Sequence, residues 1–251
     1  MDKQKDRLMP TIDDIDFASL YRAHAEQSSR KSKPPSAWDE RSQKLSLTED
    51  DSANPYVQAF IAHMDLQGAH SLLDIGCGGG AIGLALARQL KAVYALDYSP
   101  GMLHVVKCRA QALGLSNVHV LQHSWHEYGP QAWCDVPVCD VVVASRSTMV
   151  DDMADALHKI NSKARLRAYM TLMVEPRAIP AKAKETAVAF PDYIYAVNLL
   201  AQMGYLPRVD YLDQKGNRCT TYPAQDGGGS DANLQQTCSH WVWALVSWDC
   251  Q

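Results

Sequence analysis

Two aspartates and a glycine-rich loop are the residues of this chain whose types and spacing favour ligand chemistry. The run LLDIGCGGGAIG (72–83) is apolar up to Asp74 and then turns into glycine. A G-x-G-x-x-G pattern begins at Gly78 and is typical of a strand-to-helix turn where a ligand approaches the backbone without meeting a Cβ atom. Asp97 ends the next apolar run, 23 residues after Asp74. An acid at that point is placed to accept hydrogen bonds from ribose hydroxyls.

The position of Asp74 discriminates between two classes of adenosine ligand. A dinucleotide sets its pyrophosphate against such a loop, where a preceding carboxylate repels it and would instead attract an ammonium group. S-adenosylmethionine carries an α-amino group and a sulfonium cation, and it has no phosphate. A strand-end aspartate can also be a turn or helix cap, and loop glycines can serve only helix–sheet packing. The ordered combination nevertheless favours an adenosyl ligand with a cationic tail.

Alternating strands and helices must position these residues. Strands are predicted at 71–77, 92–99, 118–123, 139–145 and 165–175, and helices at 81–90, 101–115, 151–164 and 191–204. This alternation predicts an open, mostly parallel α/β sheet with helices on both faces. The end of the chain differs, because strands at 205–214 and 239–248 have no helix between them. They predict a C-terminal antiparallel hairpin and bring the sheet to seven strands.

Residues 1–54 differ from the domain that follows, which we place at 55–251. TIDDIDFASLYRAHAEQ (11–27) predicts an amphipathic helix that starts at Thr11. Its apolar positions include Ile12, Ile15, Leu20 and Tyr21. The following SSRKSKPPSAWDERS breaks regular structure at its two prolines and is too polar for a core. We therefore predict an N-terminal helical lid.

Three motifs in order, LLDIGCGGG, ALDYSPGML and CDVVVAS, resemble the class I S-adenosylmethionine-dependent methyltransferase family over residues 55–251. SAWDERS also resembles the opening helix of small-molecule members. The resemblance implies a Rossmann-like fold, S-adenosyl-L-methionine as cofactor and S-adenosyl-L-homocysteine as product. By position, the residues implied to bind the cofactor are Asp74, Gly76, Gly78, Asp97, Tyr98, Ser99, Met102, Ser124, Trp125 and Ser145.

Within that set the resemblance implies particular contacts. Asp74, Gly76 and Gly78 match the residues that hold the amino-acid end of the cofactor, and Asp97 matches the ribose acid. Tyr98 and Met102 match positions that pack against the adenine, although the helical spacing of Met102 also fits ordinary core packing. Many members have an acid after the third strand that binds the adenine amino group. This chain has Ser124 there.

Candidates for the acceptor side follow from topology. We predict substrate contacts by Trp38, Arg41, Arg146 and Tyr193, and further candidates are Tyr195, His123, His126 and Glu175. The alternatives are that the aromatic and lid residues only pack the lid onto the sheet and that Arg146 pairs with Asp151 or Asp152. Methyl transfer is an in-line displacement that depends on alignment, and a base is needed only if the acceptor must lose a proton. No catalytic residue is assigned.

Composition and missing motifs narrow the acceptor. A net charge of −4 over 251 residues gives no reason to expect a nucleic-acid surface. The fourth strand is followed by neither Asn/Asp-Pro-Pro-Tyr/Phe nor Pro-Cys, so methylation of a DNA base is disfavoured. A small molecule is therefore predicted by elimination. The basic residues Arg30, Lys31 and Lys33 favour an anionic acceptor, although a short basic run is more typical of a solvated surface.

The remaining predictions concern location and rival functions. No apolar run approaches the length of a membrane span, and the first ten residues lack a signal-peptide segment, so we predict a cytoplasmic protein without membrane partners. Seven irregularly spaced cysteines give no reason to expect a metal site. Two rival functions stay open, a non-catalytic cofactor-binding accessory protein and an NAD-dependent oxidoreductase. A monomer and a homodimer are equally compatible with the sequence.

Overall fold

A seven-stranded sheet organises the chain in a computed structural model, which describes residues 11–129, 131–174, 188–213, 215–219 and 242–250. The strands are β1 (Ser71–Ile75), β2 (Ala92–Asp97), β3 (Val118–Gln122), β4 (Cys139–Ala144), β5 (Ala164–Val174), β6 (Arg208–Asp213) and β7 (Val242–Asp249). The helices are α1 (Phe17–Gln27), α2 (Pro35–Ser42), α3 (Pro55–Ala62), α4 (Ala81–Leu86), α5 (Pro100–Ala112), α6 (Met153–Lys163) and α7 (Tyr193–Gln202). None of these helices has the length and apolar character needed to cross a bilayer.

The order of the strands confirms the predicted Rossmann-like architecture. The sheet runs β3-β2-β1-β4-β5-β7-β6, with parallel pairing from β3 to β5. β7 is antiparallel to both β5 and β6, so the predicted C-terminal hairpin is present. Strand order reverses between β1 and β4, and open α/β sheets bind ligands in the crevice at that point, beyond the carboxyl ends of the strands.

The two faces of the central strands are both covered. Leu73 and Val142 belong to the apolar cluster on the side of α1, α6 and α7. Leu72 and Val141 belong to the cluster on the side of α3 and α4. All six residues of β4 are buried, as expected of a parallel strand with helices on both sides.

The N-terminal segment differs from its predicted helix. α1 begins at Phe17, where the Asp16 side chain accepts a hydrogen bond from the Ser19 N–H, and Ile12–Asp14 form a separate 3₁₀ turn. The predicted stripe is therefore wrong at Ile12, Ile15 and Leu20, which are 60%, 40% and 48% exposed. Tyr21 is fully buried, and its hydroxyl donates to the Val150 carbonyl. A second side-chain cap inside the pattern thus starts the helix later than Thr11.

The rest of this segment lies on other parts of the domain. α1 packs against α6 and α7, whereas α2 packs against α5. Pro35 occupies the first turn of α2, where its missing N–H has no helical partner to lose. The double proline therefore starts a helix, and that helix lies beside the carboxyl end of β2.

Candidate active site

The loop after β1 combines tight packing with open space. Gly76 and Gly78 have φ angles of 63° and 53°, in the left-handed region that favours glycine. A Cβ atom at Gly76 would lie 2.3 Å from the Ser147 Cβ, because the loops after β1 and β4 meet there. A Cβ at Gly78 would meet nothing within 4 Å. The loop therefore excludes side chains at Gly76 for its own packing and leaves room beside Gly78.

Asp74 lies beneath this loop. It is 2% exposed, and its Oδ2 accepts a hydrogen bond from the Gly83 N–H at 3.0 Å. Burial raises the pKa of this carboxyl to about 7, against the Gly83 hydrogen bond, and the nearby Asp97 charge raises it further. The structure thus gives Asp74 the capping contact that was the alternative interpretation. Its contact with a ligand ammonium group stays a prediction.

Asp97 connects the glycine loop to the start of α5. Its Oδ2 accepts from the Gly78 N–H and its Oδ1 from the Ser99 N–H, both at 2.9 Å. Burial raises the pKa of Asp97, and these two hydrogen bonds oppose the rise. A carboxylate has about four acceptor positions in all, so Asp97 retains capacity for a ligand hydroxyl beside its backbone donors. The acid therefore stands beside the open space at Gly78 with acceptor capacity left.

Ser99 and α2 form the wall next to Asp97. The Ser99 hydroxyl donates to Asp39 Oδ1 at 2.6 Å, and the Gly101 N–H donates to the same oxygen at 2.9 Å. A Cβ at Gly101 would lie 2.5 Å from the Ser42 Oγ, so glycine allows α2 to lie directly on the start of α5. Ser99 itself is fully buried. Its hydroxyl, N–H and carbonyl all have partners within the protein, so the side chain holds the wall in place and the predicted cofactor contact of Ser99 stays a prediction.

A cleft of about 630 Å³ opens between the N-terminal segment and the ends of β2 and β3. Its lining includes Ser32, Lys33, Pro34, Pro35, Tyr98, Gln122, His123, Ser124, His126 and Glu127. The Tyr98 hydroxyl donates to the Lys33 carbonyl at 2.8 Å and so joins the two sides. The predicted adenine-side residues Tyr98 and Ser124 thus share one cleft. Met102, also predicted there, is 3% exposed on α5.

Glu127 is an acid in this cleft that the sequence interpretation missed. Its Oε1 accepts from the Ser124 N–H at 2.7 Å, and its Oε2 lies 2.8 Å from Nδ1 of His123. An acid therefore follows β3 after all, three residues beyond the position where the resemblance places Ser124. The signal was the S-x-x-E spacing at 124–127, which pairs an N–H with a following carboxylate.

The two histidines after β3 both have carboxylate partners. Burial lowers the pKa of His123, but Glu127 and Asp135 outweigh it and raise the pKa overall. His126 Nε2 lies 3.1 Å from Asp151 Oδ2. Trp125 lies between the two halves of the crevice, since its Nε1 donates to the Ser147 carbonyl in the loop after β4 and its ring packs on Trp133 at 5.4 Å.

The predicted acceptor residues lie in two places. Trp38 is on α2, with the cationic groups of Lys33 and Arg41 at 5.8 and 5.6 Å from its ring centroid. On the other half of the crevice, Tyr193 begins α7 and accepts a hydrogen bond from the Tyr211 hydroxyl at 2.8 Å. The Tyr195 ring lies 5.5 Å from the Tyr21 ring of α1, in agreement with the alternative that this residue packs the N-terminal segment onto the domain. Glu175 lies outside the described residues.

Ser145 and Arg146 follow β4 and complete that other half. The Ser145 hydroxyl lies 2.9 Å from the Tyr56 hydroxyl, and the Arg146 guanidinium lies 4.0 Å from the Tyr56 ring centroid. The alternative in which Arg146 pairs with Asp151 or Asp152 is wrong. Those acids contact His126 and Arg22 instead.

Comparison with known proteins finds a matching family, similar sequences and a similar fold. The family described as "Methyltransferase domain" matches residues 66–198. An uncharacterized protein of Haemophilus influenzae is 36% identical over 207 residues, which are 81% of this chain and 76% of that protein. Two further relatives match shorter stretches.

A protein-L-isoaspartate O-methyltransferase of Geotalea uraniireducens is 31% identical over 31% of this chain. A probable cobalt-precorrin-6B C(15)-methyltransferase of Methanothermobacter thermautotrophicus is 33% identical over 30% of this chain. The chain spans 38% of the length of each of these two relatives. A crystal structure of an S-adenosylmethionine-dependent methyltransferase from Aquifex aeolicus superposes with a TM-score of 0.52 at 16% identity, covering 86% of this chain and 99% of that one. It shares the fold.

Proposed function

The chain belongs to the class I S-adenosylmethionine-dependent methyltransferases, and we propose that it methylates a small-molecule acceptor. The cofactor supplies a methyl group that the sulfonium activates for in-line displacement. The protein's contribution is then to align the acceptor with that methyl group and to exclude water. Alignment alone is worth roughly 7–11 kcal/mol of the barrier.

The observation that carries the proposal is the pairing of Gly78 with Asp97. The Gly78 N–H donates to Asp97 while the space where a Gly78 side chain would lie is open. A ligand beside that glycine therefore meets a buried carboxylate with acceptor capacity, which suits the two ribose hydroxyls. We propose that Asp74 and Gly76 flank the amino-acid end of the cofactor, and that Tyr98, Ser124 and Glu127 enclose the adenine.

The choice of a small acceptor draws on charge and topology. The net charge of −4 disfavours a polyanionic partner, and the loop after β4 reads SRST (145–148), which lacks the motif of base-directed enzymes. The acceptors named for the relatives range from a protein to a cobalt-precorrin. We propose a cytoplasmic enzyme whose acceptor enters on the side of β4, β5 and α7.

Thermal unfolding with S-adenosylmethionine, S-adenosylhomocysteine and NAD tests the cofactor site. A true ligand at a hundredfold excess over Kd stabilises the protein by about 2.7 kcal/mol. Both adenosyl compounds should raise the midpoint of unfolding. Asp97→Asn should abolish the rise, whereas Asp249→Asn, at the C-terminal end of β7, should not. A rise with NAD alone would favour the oxidoreductase.

Turnover separates an enzyme from an accessory protein. Release of S-adenosylhomocysteine should appear when small-molecule pools are added to the protein with S-adenosylmethionine. Ligand-dependent stabilisation without release from any pool, but with release when RNA or protein is added, would contradict the small-molecule proposal.

A further inference from the structure

Arg146 holds an unusual backbone conformation at the tip of β4. Its φ angle is 56°, which a residue with a long side chain rarely adopts. The Arg146 N–H donates to the Thr171 hydroxyl at 2.8 Å, and the next residue, Ser147, donates its hydroxyl to the Ile75 carbonyl at 2.7 Å. Neighbouring strands thus hold this turn in place on both sides. Strain of this kind persists where surrounding structure imposes it, and it clusters at functional sites.

The guanidinium of Arg146 has an aromatic partner and no acidic one. It is exposed and lies 4.0 Å from the centroid of the Tyr56 ring. Within the described ranges, no carboxylate lies within ion-pair distance of it. Several other arginines do have a carboxylate partner, namely Arg22, Arg109, Arg165, Arg167, Arg208 and Arg218. The hydrogen-bonding edge of the Arg146 guanidinium is therefore left for a ligand.

Hydrogen bonds at its hydroxyl group fix the position of the Tyr56 ring. Its hydroxyl lies 2.9 Å from the Ser145 hydroxyl and 3.4 Å from the Thr171 Oγ1, and the residue is 1% exposed. A fixed ring under a planar guanidinium restricts the rotamers of that side chain, so less entropy is lost when it binds a ligand.

The turn lies next to the glycine loop. A Cβ on Gly76 would contact Ser147, so Arg146 is one residue from the point where the loops after β1 and β4 touch. In the proposed function, Gly76 flanks the amino-acid end of the cofactor, which carries the transferable methyl group. A group bound by Arg146 from the β4 side would then belong to the molecule that receives the methyl.

We propose that Arg146 binds an acidic group, a carboxylate or a phosphate, on the methyl acceptor. The inference rests on the proposed function and adds the class of its substrate. Guanidinium binds both anions through two parallel N–H···O bonds, which lysine cannot reproduce. The strained turn and the stacked ring fix this fork beside the glycine loop, so that it specifies the acceptor's orientation as well as its charge.

The test uses acceptor pairs with and without the acid. Purified protein and S-adenosylmethionine are incubated with a panel of carboxylic acids and phosphate monoesters, each paired with its neutral amide or ester, and S-adenosylhomocysteine release is measured. We expect the acids to be the substrates. Arg146→Met should raise the KM of the best acid at least tenfold, and Arg146→Lys should recover only part of the loss. The KM for S-adenosylmethionine should not change, and Arg208→Met, on β6, is the matched control.

Three results would overturn the inference. The first is a panel in which no acid is methylated or the neutral partners do equally well. In the second, Arg146→Met weakens S-adenosylhomocysteine binding as strongly as it weakens the acceptor, which would place its anion on the cofactor. The third is an Arg146→Gly variant that relieves the positive φ yet keeps full activity toward the acid. Wild-type stabilisation by S-adenosylhomocysteine, measured in parallel, separates all of these from failure of the cofactor site.

Discussion

The guanidinium of Arg109 donates a hydrogen bond of 3.0 Å to the carbonyl of Gly79 in the glycine loop. Arg109 lies on α5 and is 2% exposed. The same side chain donates to the Ser46 carbonyl and to the carboxylates of Glu49 and Asp51. One buried side chain therefore joins the loop at the centre of the site to the segment between α2 and α3.

Replacing Arg109 should loosen the loop. Arg109→Met removes hydrogen bonds from a charged donor, each of which contributes roughly 1.5–3 kcal/mol to stability. Water can partly solvate the acceptors that lose this donor, and this offsets part of the loss. We expect a loss of roughly 2 kcal/mol in the free energy of unfolding and at least a tenfold weaker affinity for S-adenosylhomocysteine. Urea unfolding and calorimetry measure the two quantities, with Arg88→Met as control. A loss of stability with unchanged affinity would show that Arg109 supports only the N-terminal segment.

Gly76 and Gly78 should respond differently to alanine. Both have positive φ, so both variants pay about 1–2 kcal/mol for a left-handed alanine. Only Gly76→Ala also forces a Cβ against Ser147, so it should be clearly the less stable variant. Gly78→Ala places its methyl in the open space beside Asp97 and should lower ligand affinity more than stability. Equal stability of the two variants, or unchanged affinity in Gly78→Ala, would contradict this assignment of the loop.

The buried carboxyl of Asp74 should make stability depend on pH. Burial raises its pKa to about 7 in the folded protein, compared with the ordinary value of 3.8 for an aspartate carboxyl. Between these values the folded state binds a proton that the unfolded state releases, so stability falls as pH rises and levels off above about 7. Over this whole pH interval the free energy of unfolding falls by at most about 4 kcal/mol. Urea unfolding from pH 5 to 8.5 should show a smaller decline for Asp74→Asn than for the wild type, and parallel curves would refute the prediction.

Asp39 should hold α2 against the cofactor site. Hydrogen bonds from the Ser99 hydroxyl and the Gly101 N–H keep the pKa of Asp39 below its ordinary value. Asp39→Ala leaves both donors without this partner, so α2 should open more often. Trypsin should then cleave faster after Arg41, and S-adenosylhomocysteine should bind several-fold more weakly. The adjacent exposed Glu40→Ala is the control, and identical cleavage rates in the two variants would argue against the anchoring role.

Strand positions were predictable because their signals are local. The all-apolar core of β4 and the glycines after β1 each lie within a few neighbouring residues, and both appear in the structure where they were expected. The start of α1 was predicted wrongly for a related reason. Thr11 and Asp16 both precede a helical turn within six residues, but only the Asp16 side chain caps α1, and the burial of Tyr21 against Val150 favours this later start.

By itself the sequence determined the architecture and the chemical type of the cofactor site, since strand–helix alternation, a glycine turn and two strand-end acids are patterns of neighbouring residues. Tertiary structure alone decided which side chains surround that site. Arg109 reaches Gly79 across 30 positions, and Asp39 reaches Ser99 across 60. Arg146 stacks on Tyr56 although the two are far apart in the chain. The packing of α2, α3 and α5 on the sheet determines these contacts, and the local periodicity of the sequence does not predict that packing.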